Sequence, residues 1–224
     1  MSTELFRFLT ELKKNNNRPW FKEHKKQYDQ LLAWFTAEIQ ELIERIGTFD
    51  PEIVGLEAKS CIYRIYRDIR FSNDKTPYKT HFGAYMAGFG GRTGSYAGYY
   101  VHLEPGNSLL SGGAWQPPPP LLKKLRRDIY NNMDEFRNIT ENKEFKETFP
   151  ELEGEMQKRI LGDFPADYPF IDILKHRDFV VTSIKQDLFF NTSNWKDQAI
   201  DDFKKLYPFN RFLNYTIKDF LDKA

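Results

Sequence analysis

"HFGAYMAGFGGRTGSYAGYYVHLEPGNSLLSGGAW", residues 81–115, decides the fold. Three runs rich in aromatic and aliphatic residues, "HFGAYMAGF", "GYYVHLEP" and "SLLSGGAW", are punctuated by "GGRTGS" and "GN", the pattern of strands joined by turns. The connections are too short for the helical crossover that a parallel pair requires, so the pairing is antiparallel. Upstream, "CIYRIYRD" followed by "SNDKTP" reads as one more strand and turn, which makes a meander of at least four strands.

Helices are expected on both sides of this block. Leu5, Phe8, Leu9 and Leu12 recur at helical spacing after a Ser2 or Thr3 cap. A long helix is predicted from the asparagines at 15–17 to Gly47, with Pro19 near its first position and an apolar stripe running from Trp20 and Phe21 through Tyr28, Leu31, Phe35 and Ile39 to Ile46. "PPPP" at 117–120 turns a corner into a helix carrying Leu121, Leu122, Leu125, Ile129 and Met133. Two short helices over 134–160, an irregular loop in "GDFPADYPF", and a helix and strand in "DILKHRDFVVTSI" follow. Two carboxy-terminal helices come last, separated by Pro208. The fold class is therefore α+β: one globular domain over 1–224, with a mainly antiparallel sheet from the middle third packed with a long amino-terminal helix and carboxy-terminal helices.

Composition narrows the function classes. With 224 residues, 40% apolar and 16% aromatic, the chain has ample material for a core. No apolar run approaches the length needed to span a bilayer, and "MSTELFRFLTELKK" has charges where a signal peptide keeps an apolar centre. The single cysteine, Cys61, excludes an internal disulfide and a cysteine-rich zinc site. A cytoplasmic location is the expectation. The net charge of +1 is too small for a general nucleic-acid or membrane-surface binder.

The positive charge is local. Between residues 64 and 83, Arg64, Arg67, Arg70, Lys75 and Lys79 stand against only Asp68 and Asp74, with Tyr66 and Tyr78 among them. Guanidinium groups bind carboxylate or phosphate through paired hydrogen bonds, lysines add point charge, and a turn adds backbone amides. The cluster therefore suits a small anion, or alternatively forms solvated ion pairs such as Arg67 with Asp68. "GFGGRTGS" at 88–95 lacks the ending of a phosphate loop and reads as a hairpin loop.

In "YYVHLEP", Tyr100, His102 and Glu104 alternate with Val101 and Leu103, so they share one face of a strand. His81 opens the preceding strand and comes within reach of that stripe in a suitable register. Two histidines and a carboxylate suffice either for zinc or iron or for acid/base work. In the absence of a H-x-H or H-E-x-x-H spacing, no metal is assigned, and His81 and His102 stand as the catalytic candidates. His24 and His176 are expected to face solvent from helices. Ser72, Ser111 and Cys61 lack the context of a nucleophile.

The segments "FRFLTELKKNNNRPWFKEHKKQY", "IYRDIRFSNDKTPYKTHFGAYM" and "GYYVHLEP", the Gly-Gly-x-Trp-x-Pro turn at Gly112 to Pro117, and "PFNRFLN" together resemble the uncharacterised family catalogued as domain of unknown function 2461, over nearly the whole chain. The resemblance implies a single-domain protein of bacterial or fungal type with no established activity. One departure is Ala166-Asp167, where that family leads one to expect Lys-Gly.

The reading that results is a concave site for a small anionic ligand (phosphate, nucleotide or carboxylate) formed by Arg64, Arg67, Arg70, Lys75, Tyr78, Lys79, Tyr100 and Glu104, with a histidine as acid/base if the protein is an enzyme. The rival is an interaction module docking an acidic partner through the cationic turn. Cofactor and oligomeric state are left open.

Overall fold

The computed structural model describes residues 1–158, 162–165 and 167–223; Ala166, half of the Ala166-Asp167 departure, lies outside the described residues. In chain order the elements are α1 (Ser2–Lys14), α2 (Arg18–Glu23), α3 (Lys25–Ile46), α4 (Ala58–Cys61), β1 (Phe82–Met86), β2 (Gly98–Leu103), β3 (Ser108–Ala114), α5 (Pro119–Asn131), α6 (Met133–Thr140), α7 (Lys143–Thr148), β4 (Leu152–Glu153), α8 (Ile171–Lys175), β5 (Phe179–Lys185) and α9 (Trp195–Leu221). The strands form one antiparallel sheet in the order β1-β2-β3-β5-β4, so the chain is α+β. Among the described residues, no helix is long and apolar enough to cross a membrane.

The residues group into two compact units, each assembled from separate stretches of chain. The first comprises 1–93, 100–110 and 184–201; the second comprises 94–99, 111–183 and 202–224.

In the first unit α1 buries Leu5, Leu9 and Leu12, and α3 buries Phe35, Ile39, Leu42 and Ile46, all at 0% exposure. Phe82 of β1 meets Phe35 and Tyr28 edge-on. Each of the three consecutive asparagines has a separate task. Asn15 bonds back to the Glu11 carbonyl at the end of α1. Asn16 pairs with both backbone groups of Tyr78, at 2.9 and 3.1 Å. Asn17 caps α2 by accepting from the Trp20 amide. The predicted long helix is broken once, at His24, whose ring stacks on Trp20 at 3.9 Å and whose Nδ1 lies 2.8 Å from the Trp20 carbonyl. That bond terminates α2 and makes His24 part of the helix junction, where a solvent-facing residue was expected.

"CIYRIYRD" is not a regular strand. Cys61 ends the short α4, and residues 62–67 then run beside 77–84 through isolated bridges, Ile62 opposite Ala84 and Tyr66 opposite Tyr78. Backbone bonds from Tyr63 to Gly83, Arg67 to Pro77 and Lys79 to Ile65 complete this ladder. The intervening turn is cross-braced by its own side chains, which takes the segment out of strand geometry.

In the second unit β5 inserts between β3 and β4, with Leu152 opposite Val181 and Glu153 opposite Val180. The close approach of β3 to β5 depends on Gly113, where φ is +115° and a Cβ would lie 2.0 Å from the Phe179 carbonyl oxygen. Phe136 of α6 packs on Phe179, Phe209 and Phe212. Pro208, expected to separate two helices, lies inside the continuous α9. Phe203, Leu206, Phe209, Leu213 and Ile217 are each 0% exposed, and burial of this uninterrupted stripe outweighs the one amide hydrogen bond that proline removes. His176, expected in solvent, is buried at the end of α8.

Candidate functional site

The polar stripe of β2 forms as its alternation requires. Val101 and Leu103 are fully buried, while Tyr100, His102 and Glu104 share the other face. The Tyr100 hydroxyl lies 2.8 Å from His102 Nδ1, and His102 Nε2 lies 3.3 Å from Glu104 Oε2. Both oxygens of Glu104 are held by further donors: Thr80 Oγ1 reaches Oε1 at 2.8 Å, and Asn107 Nδ2 reaches Oε2 at 2.9 Å. The Glu104 amide donates to Ser108 Oγ, and Asp187 accepts from both Ser108 Oγ and the Gly106 amide, which fixes the turn beyond the carboxylate.

His81 stands directly before β1, and its ring centroid is 4.3 Å from that of His102. Donor atoms of His81, His102 and Glu104 all lie within 4.8 Å of one another. Gly83 makes room for the stripe: a Cβ there would sit 2.7 Å from the Tyr100 hydroxyl. Tyr63 meets Tyr100 edge-on, and Lys79 lies over the Tyr63 ring at 5.0 Å.

The electrostatics separate the members of the group. Burial, with the neighbouring His102 adding to it, lowers the His81 pKa from 6.5 to about 4, against the opposing pull of Glu104. Burial also lowers His102, although its bond to Glu104 works the other way. Burial alone would raise the pKa of Glu104; the bonds from Asn107, Thr80 and His102 outweigh it and hold the carboxyl below its ordinary value. At neutral pH two neutral imidazoles therefore face an ionised carboxylate. Tyr100 is pushed upward by burial, with Tyr63 and Glu104 contributing. Lys79 is lowered first by burial and then by the charges of Arg64 and Arg92. Three lone-pair donors in this state can exchange protons or hold a cation.

The remaining candidates have local partners. Arg67 binds Asp74 together with the Thr76 hydroxyl and carbonyl, and Ser72 accepts from it at 3.4 Å. Arg70 grips Asp68, Nε to Oδ1 at 3.0 Å and Nη2 to Oδ2 at 2.6 Å. Lys75 donates to the Ile69 carbonyl. Tyr78 is stacked on Phe21 at 4.0 Å and is 5% exposed. These four form the turn and its packing against α2, apart from the histidines, whereas Arg64 is exposed and adds its field to Lys79. Sequence reasoning missed Thr80, Asn107 and Tyr63, and also Arg92. Arg92 sits in the loop after β1 and is anchored on the Lys59 and Ser60 carbonyls at 3.0 and 2.8 Å. A lone arginine inside "GFGGRTGS" was the signal available for it.

Compared with known proteins, the chain matches a family model over residues 4–212, and that family is described as a conserved hypothetical protein (domain of unknown function 2461). The chain belongs to this family. The matched residues of this domain of unknown function 2461 member include every side chain of the site above. No curated protein and no solved structure matches the chain.

Proposed function

We propose that the protein binds a small anionic ligand, a phosphate compound or carboxylate, at the face carrying His81, His102 and Glu104, and acts on it there. One observation carries this reading: Lys79, in the field of Arg64 and Arg92, acts electrostatically on His81, which lies together with His102 and Glu104 in a floor of lone-pair donors. The rim supplies charge for the anion, and the floor supplies groups that act on it. Lys79 also lies over the Tyr63 ring, which presents an apolar wall beside its charge. A docking face for an acidic partner is the weaker reading, because Arg67 and Arg70 are engaged by Asp74 and Asp68. With a net charge of +1 and one buried free cysteine, a cytoplasmic protein that engages neither membrane nor nucleic acid fits this proposal.

A thermal-shift screen in EDTA against inorganic phosphate, nucleotides and small carboxylates tests the reading. A ligand a hundredfold above its Kd adds about 2.7 kcal/mol and raises Tm by several degrees. The shift is expected to vanish in Lys79→Ala and to persist in Arg70→Ala. A shift lost in Arg70→Ala instead would move the site to the turn, and silence across the panel would overturn the anion reading.

A further inference from the structure

We propose that His81, His102 and Glu104 form a binding site for one divalent transition-metal ion of the zinc class, a proposal that rests on the functional face assigned above and names what occupies its floor. Two imidazoles and one carboxylate are a donor set that such ions accept with positions left over for water or substrate. The distances fit. Two donors each about 2.0–2.1 Å from a tetrahedral zinc lie about 3.3 Å apart, and His102 Nε2 stands 3.3 Å from Glu104 Oε2. The third donor belongs to His81, within 4.8 Å of the others, and its ring makes no hydrogen bond to a described residue that ligation would have to break.

The surroundings supply the outer partners that metal ligands require. Such histidines donate the other ring N–H to a fixed acceptor, and ligating carboxylates are themselves hydrogen-bonded. The Tyr100 hydroxyl sits on His102 Nδ1, and Thr80 and Asn107 hold the two oxygens of Glu104. Binding needs no net proton loss from His102. Its single ring proton moves from Nε2 to Nδ1, and the Tyr100 hydroxyl turns from donor to acceptor while Nε2 takes the metal. An ion held by three protein donors keeps a further position for water or substrate, and Lys79, whose Nζ lies over the Tyr63 ring, acts electrostatically on His81. The charge of the ion would offset the ionised Glu104 and tighten the hold on an anion that the Lys79 ammonium already binds without it.

Calorimetric titration of the EDTA-treated, desalted protein with zinc chloride, without any anion from the panel, tests the proposal. One equivalent is expected to bind wild type, with loss of measurable binding in His81→Gln and Glu104→Gln. Tyr100→Phe removes only the outer hydroxyl and is expected to weaken binding roughly tenfold or more; it carries the test should either ligand variant fail to fold. Cobalt(II) substitution is expected to give visible absorption bands in wild type that both ligand variants lack. Absence of a stoichiometric site in wild type, or equal affinity in wild type and all three variants, overturns the proposal. The anion reading fails separately: zinc binding with a silent anion panel removes that reading alone, and an anion shift in EDTA without zinc binding removes the metal alone.

Discussion

Acid is expected to destabilise the fold through His81 in particular. Unfolded, this histidine takes a proton as pH falls through 6.5; folded, it resists until about 4. Between those values the unfolded chain binds more protons, so stability is complete above pH 6.5 and declines as pH falls towards 4. A separation of about 2.5 on the pH scale, at about 1.4 kcal/mol each, gives about 3.5 kcal/mol, and water reaching the half-buried ring trims this to about 2 kcal/mol. Urea unfolding followed by circular dichroism at pH values from 4 to 8, with chelator present, measures it in wild type and His81→Gln. At an m-value of about 2 kcal/mol/M, the wild-type midpoint should lose roughly 1 M more than the variant's across this range. His102 and His176 are also lowered by burial and give both curves a slope; His176 contributes alike to each, and the difference between the curves reports His81 together with its coupling to the adjacent His102. Parallel curves would refute the burial argument for that ring.

Other perturbations separate structural from functional cations. Arg67→Ala frees the turn at 72–76 and is expected to lower Tm by roughly 2–4 °C without changing the response to phosphate, checked in the same thermal-shift plate as Lys79→Ala. Gly113→Ala places a Cβ 2.0 Å from the Phe179 carbonyl oxygen at a φ of +115° and should cost about 3 kcal/mol or more, read from its urea midpoint. Lys196 bridges Glu38, at 3.1 Å, and Glu41. Lys196→Ala strands the largely buried Glu38 carboxylate at about 3 kcal/mol, whereas Lys196→Ala with Glu38→Leu should recover part of that loss in chemical denaturation. Gly83→Ala forces the Tyr100 hydroxyl aside and is expected to weaken zinc about tenfold with little change in Tm.

The part of the site that lies on one strand was legible. Tyr100, His102 and Glu104 follow from the period of two in "YYVHLEP" alone. The approach of His81 was open, because which residue of β1 faces which of β2 is set by pairing between strands. The cationic stretch was read as converging on a ligand, yet Arg67 and Arg70 find their carboxylates seven and two residues away in sequence. A residue list does not distinguish a guanidinium aimed outward from one turned back onto its own loop. The sheet itself was expected, but not the insertion of β5 beside β3, a pairing between residues some seventy positions apart. Pro208 misled in the usual direction: local chemistry says break, and the buried stripe on both sides says continue.

The tie from Asp187 to the turn after β2 also orders events in time. Gly106 and Ser108 leave the ribosome early, but the carboxylate that accepts from them is made only after some eighty further residues. A chain stalled before residue 187 carries all three donors of the floor and the stripe of β2, yet not the acceptor that steadies the turn beside Glu104. The site is therefore finished late in synthesis, once the stretch 184–201 that completes its unit has been made.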